Sequence, residues 1–259
     1  MAPFRWLRGE LRWTQVAVDL ALIILGILAA LAVDDAIQQR RDARAERQYL
    51  ELLARDLDRD LETLNEFIDY EEKQTAAGIF AYRALRNGVA PADREAVAQS
   101  ITQLLSRRTL RLARSTYTDL LSTGNIRLLR NARLRDDLAR LQESNERALA
   151  IRDRNNQVFV DEMFFAHMLE TGLIAPRPRT NLPMAIYQVT QFGERVAVPV
   201  TEEQDRLWKL GPGSAEWSIL ANKVWYRSFV SFSAIEQART MVTDTAAVRK
   251  SIAEELARK

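Results

Sequence analysis

The chain has 259 residues, 47% of them hydrophobic, with 37 Lys+Arg against 35 Asp+Glu, one His and no Cys. That length carries one or two domains with a real core, the missing Cys excludes disulfide frameworks, thiol nucleophiles and cysteine metal sites, and a lone His argues against a His-rich zinc or haem centre. Nine Gly and seven Pro among abundant Ala, Leu, Arg and Glu predict long helices, while a net charge of +2, with 32 Arg to 5 Lys, reads as codon bias rather than as a nucleic-acid signal.

The run Val16 to Val33 holds 18 residues and is apolar except for Asp19. At about 1.5 Å per residue it spans roughly 27 Å, enough for a hydrocarbon core. Trp6 and Trp13 precede it at the positions of interfacial aromatics. Arg5, Arg8 and Arg12 also lie before it, and Asp34 and Asp35 follow. The positive-inside rule then places the N-terminus in the cytoplasm of a bacterial cell and the bulk of the chain in the periplasm, although Arg40, Arg41, Arg44 and Arg47 lie downstream. A cleaved signal peptide is the competing reading, since Ala30-Leu31-Ala32 has the small-x-small pattern. A retained anchor is preferred, because no Gly or Pro interrupts the chain from Asp34 to about Glu72. Within the span, Asp19, Gly26 and Val33 repeat every seven residues, and Gly26 and Ala30 form a small-xxx-small pair suited to close helix approach. Asp19 reads either as part of a self-associating, even ion-coupled face or as a group near the headgroups.

Past the anchor, Leu50, Leu53, Leu57, Leu61, Leu64 and Ile68 mark one helical face. A second helix is expected over Thr75 to Arg86, ending at Asn87-Gly88, and a third over Pro91 to Ser106. Thr116 to Asp119 has capping-box spacing for a short helix that Gly124 stops. Asn131 caps a long helix reaching roughly Thr171, whose stripe of Leu134, Leu138 and Leu141 runs into Asn145, Arg152 and Asn156. Those three polar groups predict that the helix either leaves the bundle or lines a polar pocket. Residues 185–200, in the Pro-containing stretch, read as a short β-hairpin or as a helix. Ser214 caps a last long helix with Ile235, Ala238, Val242, Thr245, Ile252 and Leu256 at near-heptad spacing. The expected fold is all-α, an N-terminal transmembrane helix continuing into a stalk helix and an extramembrane bundle. Its segments are a cytoplasmic 1–13, a membrane helix 14–35, a stalk and amphipathic helix 36–72, a bundle with the Arg-rich segment 73–172, an irregular connection 173–213 and a C-terminal helix 214–259.

Two charge blocks stand out. Residues 46–72 carry ten acidic groups and three Arg, and residues 107–135 carry eight Arg against Asp119. The basic block (Arg107, Arg108, Arg111, Arg114, Arg127, Arg130, Arg133, Arg135) matches the acidic one in size and opposes it in sign. The two are expected to dock, within one subunit or between neighbours, with an anionic lipid surface as the next candidate and nucleic acid excluded as a partner. A helix-turn-helix around Gly124 is rejected, because Ile126 to Arg130 spoils the tight turn. No phosphate-binding glycine loop, nucleophile elbow or metalloprotease His pair occurs, so neither catalysis nor a cofactor is expected, and His167 reads as structural.

The segments Asp19 to Asp35, Tyr49-Leu50 with Leu53 to Leu57, and Thr116 to Arg130 (TY-x-DL-x-STGN-x-RL-x-R) resemble a family of uncharacterised bacterial single-pass membrane proteins. The likeness covers roughly the first half. Family members carry an acidic residue where Asp19 stands, and Asn or Trp just past the span, where this chain has Asp34, Asp35 and Ala36. The resemblance implies an anchored topology and carries no activity. Three functions are expected in descending order: a non-enzymatic scaffold or accessory subunit acting through a protein partner or itself, a ligand-binding sensor-like bundle, and an ion-coupled stator-like subunit using Asp19.

Overall fold

The computed structural model describes residues 13–170 and 208–258. Among them every regular element is helical, so the fold is all-α. Residues 185–200, expected as hairpin or helix, lie outside the described residues.

Helix α1 runs Trp13–Asn87 without interruption, roughly 110 Å at about 1.5 Å per residue. After a 3-10 turn at Pro91–Asp93 come α2 (Arg94–Gln103) and α3 (Ser115–Ser122), with non-helical chain at 106–114 between them. A second 3-10 turn, Asn125–Leu128, leads to α4 (Ala132–Asn155), which passes into a π-helical run Asn156–Phe165 and then α5 (Ala166–Glu170). The last helix, α6, covers Ala215–Ala257.

Cross-bonds set the directions. The segment 103–130 descends along α1, with Gln103 on the Lys73 carbonyl, Ala113 on Asp60, Thr116 on Asp56 and Arg130 on Glu46. Helix α6 also runs antiparallel to α1, shown by Trp217 Nε1 donating to the Leu85 carbonyl at 2.6 Å and by Arg249 gripping Asp58 at 2.8 and 3.0 Å. The result is an up-down-up-down bundle, with the descending 94–128 segment in the place of one helix. Its core has three stacked layers. Leu50, Leu53 and Leu57 meet Leu120, Leu134, Leu138 and Ile252 at the base. Leu64 and Phe67 meet Leu110, Ala148 and Met241 in the middle. Ala81 and Leu85 meet Val97, Phe164, Trp217 and Leu220 at the top.

Several boundaries differ from expectation. There is no break near residue 72, and Thr75 to Arg86 continues α1 rather than forming a second helix. Gly78 does not interrupt it, because α6 packs there so closely that an added Cβ would lie 2.9 Å from Ser228 Cβ. The solvated part of the stalk ends a turn before the apolar stripe at Leu50. Among the described residues the first buried side chain is Glu46, and Arg130 reaches down to the Gln39 carbonyl at 3.4 Å. The expected Thr116/Asp119 capping box is replaced by a cap from another helix. The Asp56 carboxylate accepts from Thr116 N (3.3 Å) and Ser115 Oγ (3.5 Å), while α3 has no side-chain cap of its own. Gly124 does terminate α3 at φ +70°, and Asn131 and Ser214 cap α4 and α6 by accepting from Leu134 N and Trp217 N.

Candidate functional site

The non-helical chain at 106–114 poses the central physical problem of the bundle. Its backbone N–H and C=O groups have no helical partners, and unpaired buried polar groups are costly. Ionisable side chains projecting from the long helices fill the gap. On α1, Asp60 accepts from Ala113 N at 2.7 Å and Glu46 from Arg130 N at 2.7 Å. On α6, Arg227 donates through Nε to the Leu104 carbonyl (3.0 Å) and through Nη2 to the Ser106 carbonyl (3.1 Å). On α4, Arg152 Nη2 donates to the Arg108 carbonyl. Buried charge therefore partners the Ser106, Arg108 and Ala113 backbone groups of this segment and the Leu104 and Arg130 groups flanking it.

Two of these groups belong to a deeper cluster. Arg227, 2% exposed, also donates to the Ser231 hydroxyl, which donates to Glu71 Oε2 at 2.7 Å. Burial pushes the Glu71 carboxyl above its ordinary range, against the pull of Ser231, Arg227 and Arg152. Burial likewise pushes both guanidiniums below the ordinary arginine value, though they stay charged. Arg152, 4% exposed, lies over the Phe67 ring at 4.1 Å, and its Nε and Nη1 have no hydrogen-bond partner. A cavity of about 90 Å³ opens beside it between α4 and α6, lined by Glu71, Arg152, Asn156 and Arg227 on its polar side.

The three polar residues of α4 thus stay inside the bundle, contrary to the reading that the helix leaves it. Asn145, Arg152 and Asn156 are all buried. Arg152 and Asn156 line the cavity, whereas Asn145 lies outside its lining, with its Oδ1 unpaired. Glu71, Arg227 and Ser231 were missed in the sequence. The signal was present, since Leu220, Val224, Arg227, Ser231 and Ile235 step by three and four along one face.

The basic block disperses. Arg108 pairs with Glu66, and Arg130 with Glu46 at 3.7 Å, both across to the acidic block. Arg107 pairs instead with Asp161 (3.0 Å) and Arg114 with Glu146 (2.9 Å). Arg111 and Arg127 are exposed and make no ion pair among the described residues. At the other end, Asp19, Gly26 and Ala30 lie on the exposed part of α1, with nothing within 4 Å of a Cβ built on Gly26. This apolar stretch near the N-terminus is long and apolar enough to cross a membrane, and none of it is buried in the bundle. Among the described residues, no three His, Asp or Glu side chains converge to hold a metal ion.

One more surface is distinctive. Trp225, Phe229 and Phe232 on α6 are 49%, 48% and 49% exposed, and the first two rings stack with centroids 5.8 Å apart. No protein-family model, curated protein or solved structure matches the chain.

Proposed function

We propose that this chain is a single-pass protein of the bacterial inner membrane, cytoplasmic at its N-terminus and periplasmic in its bulk, that acts without catalysis as a scaffold or accessory subunit. The observation that carries this reading is α1 itself, in which an exposed apolar span and the first helix of the bundle are one unbroken element. A partner bound to the bundle is thereby held at a fixed height over the bilayer. Two surfaces support binding. The aromatic row of Trp225, Phe229 and Phe232 offers the large rigid side chains that dominate protein interfaces. The base, with exposed Arg127 and Arg133 only a few turns above the span, suits anionic headgroups.

The test is the composition of the particle extracted from its native membrane in mild detergent, with mass by light scattering and identity by mass spectrometry. A stoichiometric second protein, lost on replacing Trp225 and Phe229 with Ser, is the expected result. A bare monomer in every detergent would overturn the scaffold reading.

A further inference from the structure

We infer that the cavity between α4 and α6 is a binding site for a small monocarboxylate, with the Arg152 guanidinium as its anchor. This goes beyond the scaffold reading and is independent of the anchor. The cavity's lining brings two guanidiniums to one carboxylate, so Arg152, Arg227 and Glu71 carry a net positive charge in a buried place, with the next carboxylate acting on Arg152, Asp153, out on the exposed face of α4. Arg227 is fully committed to Leu104, Ser106 and Ser231. Arg152 is not, since its Nε and Nη1 are buried and unpaired. Buried guanidinium N–H groups left unpaired are costly, and an anion that accepts from them lowers that cost.

Size and lining narrow the ligand. A cavity of about 90 Å³ is several times the roughly 10–15 Å³ that admits one water, so an anion of a few heavy atoms fits. The residual charge is matched by a monoanion, and Glu71 opposes a dianion such as hydrogen phosphate. Ile151, Val230 and Ala234 are the apolar members of the lining, which a short alkyl tail can cover, beside the polar Asn155, Ser233 and Gln237. Two lining residues, Ile151 and Ser233, are exposed, so the cavity reaches the surface and a ligand can enter without unfolding. Asn156, buried in the lining, offers an amide for the second carboxylate oxygen.

The experiment is calorimetric titration of the full-length protein in detergent with sodium acetate and propionate, at constant ionic strength, against sodium chloride and phosphate. Saturable binding of the carboxylates is expected, no tighter than on the order of tens of micromolar for acetate and a few micromolar for propionate, and weakened about tenfold or more in Arg152→Met. The Met variant keeps the stem volume and the Phe67 contact, and its unchanged helical circular dichroism shows that it folds. Arg111→Ala serves as the exposed-arginine control and should bind as the wild type does. No saturable binding, equal binding by Arg152→Met, or chloride and phosphate binding as well as acetate would each overturn the assignment.

Discussion

Asp60 shows how a single charged residue can be both required and costly. Its Oδ1 holds the Ala113 N–H at 2.7 Å, while its Oδ2 is buried without a partner. Burial raises its pKa from 3.8 to about 6, with the Asp56 charge adding to that and the Ala113 hydrogen bond and Arg114 opposing it. The folded state therefore binds the Asp60 proton more tightly than the unfolded chain does. Its contribution to stability is greatest in acid and is lost as pH rises from about 4 to about 6. Asp60→Asn keeps the acceptor and removes the charge, so chemical denaturation at pH 7.5 should show a gain of about 1 kcal/mol, and the slope of stability between pH 4 and 6 should flatten. The two buried arginines should behave oppositely. Arg227→Met strips the Leu104 and Ser106 carbonyls and leaves Glu71 without its Ser231-bridged partner, a loss of about 3–5 kcal/mol. Arg152→Met, which removes an incompletely paired cation, should change stability by less than about 1 kcal/mol in ligand-free buffer. Denaturation midpoints for the pair decide this. At this scale the sequence was partly legible. Arg152 and Asn156 stood out because they interrupt a leucine stripe, whereas Glu71 and Asp60 hid inside an acidic run that reads as a solvated face.

Helix α1 illustrates the same limit one level up. The apolar stripe Leu50, Leu53, Leu57, Leu64 was correctly placed, but Leu61 and Ile68 are only partly buried. The buried face continues instead through Asp60, Phe67, Glu71, Gln74 and Gly78. Hydrophobic periodicity followed the leucines and could not see that a non-helical neighbour draws polar groups inward. On α6 the expected Ile235, Ala238, Thr245 and Ile252 are buried and Val242 packs against the core from its edge, while Met241 and Val248 are buried without having been expected. Helix ends were more legible, since Asn131, Ser214 and Gly124 act locally. The α3 cap was not, because its acceptor, Asp56, lies about sixty positions away. The helix–helix contact at Gly78 gives a clean test. Gly78→Ala gains helix propensity but places a Cβ 1.7 Å from Ser228 Oγ and 2.9 Å from Ser228 Cβ. The net effect should be a loss of about 1–3 kcal/mol, recovered in large part by adding Ser228→Gly. Thermal unfolding of the two single variants and the double variant reads it directly. If Gly78→Ala were stabilising by itself, α1 and α6 would not approach as described.

As a whole, the molecule is organised around one helix with two environments. From Ala17 through Val33 every side chain of α1 is exposed, with Leu22, Leu25 and Leu31 facing outward. From Glu46 onward the same helix is the spine of a bundle. Among the described residues nothing in the bundle covers this stretch, and an exposed apolar helix long enough to cross a bilayer is what the proposed membrane anchor requires. The long exposed apolar helix and the all-α class were both legible, because they rest on composition and long-range periodicity. The up-down order was not, since it depends on a descending segment that is only partly helical. The central claim is that the apolar end of α1 stays in the inner membrane while the bundle stands in the periplasm. It is tested most directly by protease digestion of intact cells, spheroplasts and lysed spheroplasts, followed through tags at both termini. The account predicts full-length protein in the membrane pellet after alkaline extraction. It also predicts loss of the C-terminal tag in spheroplasts, and protection of the N-terminal tag until lysis. A soluble chain shortened past Ala32, or a C-terminal tag cut only after lysis, would contradict it.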